Sequence, residues 1–286
     1  MDNRRDVQEY LTTLRARVTP ESAGLTVLGG ERRVPGLRRE EVAQLAGVST
    51  VYYTRMERGD LSGVSDSVLY ALVRALQLDE AETTHLFDLA RAASGPRRPR
   101  TPRRRAARVP SRLPQLLDAM RDVPALALNR IGDPVASNAL GRALFPHLFP
   151  EDAAPLNHAR YLFLDPRAQS FYPDWEASAR EQTSALRLLA GQDPSDRALT
   201  SLVGELSTHS AEFRTWWSGH AVRLHTSGTK RIHHPVVGEM TVGYDVLAVQ
   251  STPGLSLTSY LPEPASPSAD ALELLRSWII DPVAAH

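Results

Sequence analysis

Residues 37–59 read LRREEVAQLAGVSTVYYTRMERG, and this stretch decides the fold of the N-terminal region. Its first part, Arg38 to Ala46, sets Val42, Ala43, Leu45 and Ala46 on one side of a short helix. Arg38, Arg39, Glu40, Glu41 and Gln44 take the other side. Gly47 follows where the chain must turn sharply, which a residue without Cβ does at little cost. Ser49 is a natural N-cap for a second helix over 49–58, and Gly59 closes that helix from the C′ side. The small residues Ala43 and Ala46 let the two helices cross at short range. Two helices joined in this way form a helix-turn-helix, whose second helix enters the major groove. The stretch therefore predicts DNA binding.

Helices predicted at 6–17, 66–76 and 80–93 complete an all-α, five-helix domain over residues 1–94. In the fourth helix Val68, Leu69, Leu72, Val73 and Leu76 recur at helical spacing. Leu86, Phe87, Leu89 and Ala90 do so in the fifth, which Asp79 caps. The interval 18–36 contains Gly24, Gly29, Gly30 and Pro35 and is expected to be a loop with a short ordered piece. Residues 95–112, GPRRPRTPRRRAARVPSR, carry four prolines and eight arginines and read as a linker. It is a solvated tether, an extra arm that contacts phosphates, or both.

The formal net charge of zero conceals a division. Residues 1–112 hold 20 Arg against 14 acidic residues, a balance of +6, and residues 113–286 hold 13 basic against 19 acidic, a balance of −6. A basic half joined to an acidic half places nucleic acid at one end only. The absence of cysteine excludes disulfides, thiolate metal sites and cysteine nucleophiles. No run approaches the roughly 20 apolar residues of a spanning helix, so no membrane insertion is expected. The polar start MDNRRDVQEY does not read as a signal peptide, and a cytoplasmic location follows as an expectation.

From residue 113 the pattern changes. Leu113, Leu116, Leu117 and Met120 predict a short helix, and PALALNR and DPVASN two strands around Gly132-Asp133. Residues 138–220 read as mostly helical. Strands are expected at about 221–227, 231–236, 239–250 and 255–261, with a turn at Val237-Gly238-Glu239 and a last helix over 267–279. This order predicts an α+β domain over 113–286.

The segments GLRREEVA, GVS and YYTRMERG resemble the helix-turn-helix of the XRE (Cro/repressor-like) regulators, in particular their MmyB-like branch. HPVVGEMTVGYDVL (234–247) and SPSADALELL (266–275) resemble the C-terminal domain of that branch. The resemblance implies a transcriptional regulator with a PAS-like sensory domain after the DNA-binding domain. It also implies an apolar small ligand such as a fatty acid. Carried over position by position, Thr50, Val51 and Arg55 take the base-reading places. Arg55 would bind guanine O6 and N7, and Val51 or the Thr50 methyl a thymine methyl. Tyr52 would reach a phosphate or a base. Arg39 and Ser49 match phosphate-contact positions, and Arg38 and Arg58 are further clamps. Tyr53 and Met56 face the core, while Glu57 pairs with Arg15 or Arg17.

In the C-terminal domain Tyr161, Phe163, Phe171, Tyr172, Trp175, Trp216 and Trp217 are either ordinary core or the lining of an apolar pocket. Tyr161, Phe163, Trp175, Trp216, Trp217 and His220 form the candidate ligand set, with His158 and Arg223 as further polar groups. His233-His234 does not read as a metal site, because neighbours on a strand point to opposite faces. No GxSxG, GxxxxGK[ST] or GxGxxG stands in the chain, so neither enzyme nor cofactor is expected. The expected protein binds operator DNA as a homodimer and senses an apolar ligand. The rival reading makes the C-terminal domain a ligand-free dimerisation or protein-interaction module, with RNA polymerase as one partner and Leu272, Leu275 and Ile279 as the apolar face.

Overall fold

A computed structural model describes residues 3–25, 35–94, 109–193, 196–219 and 226–280. Its first helix, α1 (Asn3–Arg17), buries Val7, Tyr10, Leu11 and Leu14, one face at helical spacing. Four helices follow: α2 (Arg39–Ala46), α3 (Thr50–Glu57), α4 (Asp66–Ala75) and α5 (Glu80–Ala93). Their apolar faces enclose one core, which contains Leu11, Leu37, Val42, Tyr53, Met56, Leu61, Leu72 and Leu86.

The turn between α2 and α3 is built as the residue types require. Gly47 is left-handed, with φ 66°, and its N–H returns to the Gln44 carbonyl at 3.1 Å. The Ser49 hydroxyl accepts the Tyr52 N–H at 3.1 Å. Gly59 meets two demands at once. Its φ is +95°, and a Cβ there would lie 2.2 Å from the Arg4 carbonyl oxygen, so α1 passes the end of α3 at a range only glycine permits. Helix α2 starts one residue later than predicted, since Arg38 occupies the N-cap position and its N–H donates to the Glu41 carboxylate at 2.6 Å. A capping box opens α5. Asp79 accepts the Glu82 N–H at 2.8 Å, and Glu82 accepts the Asp79 N–H at 3.1 Å. Residues 26–34 of the expected loop and 95–108 of the linker lie outside the described residues.

The chain divides into two compact units. One takes Met1–Thr101, Thr183–Gly204 and Thr215–Leu224, and the other Pro102–Gln182, Glu205–Arg214 and His225–His286. The second unit opens with α6 (Leu113–Ala119), strands β1 (Ala125–Asn129) and β2 (Pro134–Ser137), and α7 (Ala139–Leu144). A 3-10 turn (Pro146–Leu148) leads to α8 (His158–Leu164) and α9 (Ala168–Phe171). Next come α10 (Trp175–Gln192), α11 (Arg197–His209) and α12 (Ala211–Ser218), each cut by the division between units. The chain then returns to the sheet in β3 (Ser227–His234), β4 (Gly238–Ala248) and β5 (Leu255–Leu261), and ends its described part in α13 (Pro267–Ile280). The five strands lie in the order β2-β1-β5-β4-β3, all neighbours antiparallel. The result is the expected combination of an all-α helix-turn-helix region with an α+β domain.

Asn138 ties the beginning of this domain together. Its amide donates to the Met120 and Val123 carbonyls at 2.7 Å each, while its oxygen accepts the N–H of Ala125 at 3.1 Å and of Gly141 at 2.7 Å. One side chain thus caps α7 and holds the entry to β1.

Two sequence expectations are corrected in the sheet. Residues 227–234 form one strand, not the end of one strand and the start of the next; residues 220–225 lie outside the described residues. Gly228, in the interval left between the two expected strands, pairs with Tyr244 and makes room for it: a Cβ at 228 would sit 2.8 Å from the Tyr244 hydroxyl. The hairpin turn falls at Pro235–Val237, before Gly238. His234 builds it, for its Nδ1 accepts the Val236 and Val237 N–H groups at 3.2 and 3.4 Å while Nε2 lies 2.7 Å from the Ala143 carbonyl. Leu272 and Leu275 of α13 are buried, at 7% and 0% exposure, and do not form a free face; Leu274 and Trp278 are the exposed pair.

His234 gives the domain a pH dependence of known sign. Burial lowers its pKa below the ordinary value, outweighing the upward pull of the Ala143 carbonyl. The neutral ring is the folded form, because Nδ1 must accept. Its stabilisation is complete above the unfolded pKa, about 6.5, and is lost as pH falls through the lower folded value. The thermal midpoint should drop between about pH 7 and about pH 5, and drop less in His234→Gln. An equal drop in both proteins would remove His234 from the account.

Candidate nucleic-acid interface and ligand site

Helix α3 begins with its apolar and hydroxyl side chains turned to solvent. Val51 is 81% exposed, Thr50 is exposed, and Tyr52 is half-buried against the core. Arg55, one turn on, is held in place. Its Nε lies 3.1 Å from the Asp60 carboxylate, its Nη2 donates to the Ser62 carbonyl at 2.9 Å, and its guanidinium stands 5.5 Å from the centre of the Tyr52 ring. Such contacts restrict the rotamers of a long side chain, and Nη1 takes part in none of these hydrogen bonds.

Behind α3 lies an ionic cluster. Glu57, 2% exposed, accepts from Arg15 Nε at 2.7 Å and Nη2 at 3.0 Å, and from Arg39 Nε at 3.0 Å, with Arg39 Nη2 at 2.9 Å. Burial raises the Glu57 carboxyl, but the two arginines outweigh it and hold it below the usual range. Arg15 also donates to the Leu37 carbonyl at 2.9 Å. Arg17 pairs with Glu82 instead. Arg39, about half exposed, is thus tied to the fold. Arg38 stands 3.6 Å from Glu40, and Arg58 is exposed beyond the end of α3.

In the second unit the aromatic side chains gather around His147, in the 3-10 turn. Its ring stacks on Tyr161, with centroids 3.8 Å apart and planes at 16°, and meets the Phe171 edge at 4.4 Å. Tyr172 and Phe145 stand at 6.1 and 6.0 Å, and Phe145 continues to Tyr260 of β5 at 4.6 Å. Both His147 ring nitrogens and the Tyr172 hydroxyl are buried without a hydrogen-bond partner among the described residues. Burial, with smaller contributions from neighbouring groups, drives the His147 pKa well below its ordinary value, so the imidazole is neutral. On the sheet, the buried Lys230 ammonium stands 3.2 Å from Glu181, which also accepts the Tyr244 hydroxyl at 2.6 Å.

A family model for the MmyB-like transcription regulator ligand binding domain matches residues 109–275, more than half of the chain. The chain belongs to the MmyB-like transcription regulators. A helix-turn-helix domain model matches residues 9–86 of this regulator, which spans α1 to α5. No curated protein matches the chain. Both matched families are regulatory binding domains, not enzymes. No helix among the described residues is long and apolar enough to cross a membrane.

The regulator keeps its eight sequence-derived DNA residues close in sequence, on α2, α3 and their caps, with different degrees of freedom. Thr50, Val51 and Arg58 are exposed, Tyr52 supports Arg55, Ser49 is engaged in capping, and Arg39 is engaged with Glu57. The residues of the expected ligand set are described with different neighbours. Tyr161 belongs to the His147 group. Phe163 packs on Phe213 at 5.0 Å and Trp175 at 6.4 Å, and the Trp175 N–H donates to the Leu162 carbonyl at 2.7 Å. Trp216 and Trp217 fall in segments assigned to the other unit, where the Arg187 guanidinium lies 4.2 Å from the Trp217 ring centre. His220 and Arg223 lie outside the described residues, and His158 stands 6.0 Å from Tyr172. Sequence reasoning missed His147 altogether. The signal was FPHLFP (145–150), a histidine set between aromatic residues and prolines. His233 is exposed and His234 buried, on opposite faces of β3.

Proposed function

We propose that this transcription regulator binds operator DNA as a homodimer and that an apolar small molecule, fatty-acid-like by family analogy, sets its DNA affinity. Residues 1–94 bind DNA, 95–112 link, and 113–286 hold the ligand and the dimer contact, within the cytoplasm. The observation that carries the reading is the start of α3, where exposed Thr50 and Val51 stand beside an Arg55 already restrained by Asp60, Ser62 and Tyr52. Two recognition helices would face half-sites about 34 Å apart or a multiple of that. A ligand shifts DNA binding only through its differential affinity for two arrangements of the dimer.

The test is anisotropy with selected and scrambled duplexes. Arg55→Ala should weaken the selected site by about 1–3 kcal/mol and leave scrambled DNA nearly unchanged. Arg58→Ala should weaken both alike and flatten the salt dependence. Equal losses for both duplexes with Arg55→Ala would remove it from base reading. The rival module reading draws on exposed Leu274 and Trp278 of α13. Sedimentation of the full chain with and without lipid separates the two, since a ligand-free module would not respond.

A further inference from the structure

Resting on the reading that Arg55 addresses a base, the loop after α3 determines how it does so. Three residues fix that loop to the fold. Gly59 sits against the Arg4 carbonyl with φ +95°, Leu61 is fully buried in the helical core, and Gly63 is left-handed at φ +70°. Asp60 and Ser62, on either side of Leu61, reach solvent. Asp60 Oδ1 accepts the Ser62 N–H at 3.1 Å and the Ser62 hydroxyl, which closes the turn. Its other oxygen, Oδ2, lies 3.1 Å from Arg55 Nε, while Arg55 Nη2 donates to the Ser62 carbonyl at 2.9 Å. The hydrogen bonds from Ser62 hold the Asp60 carboxyl below its usual range, outweighing burial, and Arg55 adds to them. Asp60 is therefore ionised at neutral pH.

The two contacts of Arg55 use one edge of its guanidinium. Nε and Nη2 share the side edge, so the tip keeps both Nη1 N–H groups and the second one of Nη2. A planar fork of this kind matches guanine O6 and N7 in the major groove. An arginine free to turn could present either edge, or reach a phosphate instead. Asp60 works against both alternatives. It orders the side chain before DNA arrives, which removes that cost from binding. It also keeps a negative charge one guanidinium away from the tip, where it repels phosphate on any sequence.

We propose that Asp60 is a positioning residue for base reading: it commits Arg55 to an end-on contact with one guanine of each half-site and lowers the affinity for DNA of other sequence. Selectivity is then set in part from outside the recognition helix, by a carboxylate that touches no base.

The experiment uses the full chain, a duplex selected from random sequence, its scrambled form, and copies in which each guanine in turn becomes 7-deazaguanine. Asp60→Asn keeps an oxygen for Ser62 and turns its amide N–H groups toward Arg55, so it breaks the pairing and spares the turn. The ratio of selected to scrambled affinity should fall about fivefold, the scale of one long side chain no longer ordered before binding. Part of that fall should be tighter binding to the scrambled duplex. In the parent, one guanine per half-site should lose about fivefold in affinity when its N7 is removed, and in Asp60→Asn that loss should shrink. With Arg55→Ala already present, Asp60→Asn should leave the ratio where it is. The thermal midpoint should not move.

If Arg55→Ala lowers the ratio and Asp60→Asn does not, the pair is an ordinary surface contact; the inference falls and base reading by Arg55 stands. An Asp60→Asn loss that persists without Arg55 overturns it too, since Asp60 would then act on its own. A lower midpoint with both duplexes weakened alike makes Asp60 a loop residue only, and equally overturns it. Arg55→Ala with no effect on the ratio removes the inference together with the reading beneath it.

Discussion

Glu57→Ala should cost the N-terminal domain about 3–5 kcal/mol, because it leaves the Arg15 guanidinium buried and without its counter-charge. Arg15 is only 14% exposed, and the carboxylate of Glu57 takes two of its N–H groups. Denaturant unfolding of the isolated variant and parent proteins measures the loss, with an unchanged slope expected. A milder variant separates packing from charge. Glu57→Gln keeps the shape and one acceptor, and should lose less. The same substitution releases Arg39, whose side chain is 52% exposed and bound to the same carboxylate. Binding to scrambled DNA should therefore become tighter and steeper in salt for Glu57→Gln. An unfolding loss below 1 kcal/mol for Glu57→Ala, on the scale of exposed pairs, would show that the cluster is solvated.

Asn138→Ala should be of similar size in the other domain. The substitution strands four backbone groups, at Met120, Val123, Ala125 and Gly141, around a residue that is 4% exposed. At 1–3 kcal/mol for each group that water fails to reach, the expected loss is about 3–5 kcal/mol. Because Asn138 caps α7 while holding the start of β1, hydrogen exchange should quicken at both places together. Asn138→Asp would keep the two accepted bonds and lose the two donated ones, and should fall between. Exchange quickening in α7 alone would reduce Asn138 to an ordinary cap, worth about 1 kcal/mol.

The parts of this fold legible in the sequence are those whose causes are local. Gly47, Ser49 and Asp79 act within one helical turn of themselves, and the boundaries of α2, α3 and α5 came out within a residue of expectation. The sheet was harder. Gly228 fell in the interval left between two expected strands, and its pairing with Tyr244 shows only in the folded sheet. Likewise, Arg15 and Arg17 are equivalent by distance along the chain. The helical turn between them sends one to Glu57 and the other to Glu82. The candidate DNA residues could be named from the family pattern, but not the engagement of Arg39 or the restraint on Arg55, which depend on side chains from other turns. His147 was marked only by its setting in FPHLFP, between aromatic residues and prolines. Nothing in FPHLFP announces that Tyr161, Phe171 and Tyr172 will close around it.

Lys230 is the only lysine in the chain, and it lies 8% exposed beside Glu181 with burial pulling its pKa down. Every other side-chain cation is a guanidinium, which acylating reagents leave alone. In the folded protein, then, the single reactive side-chain amine is shielded inside the sheet. Acylation at that one position becomes a clock for the opening of β3 from its neighbours, recorded by a single mass increment.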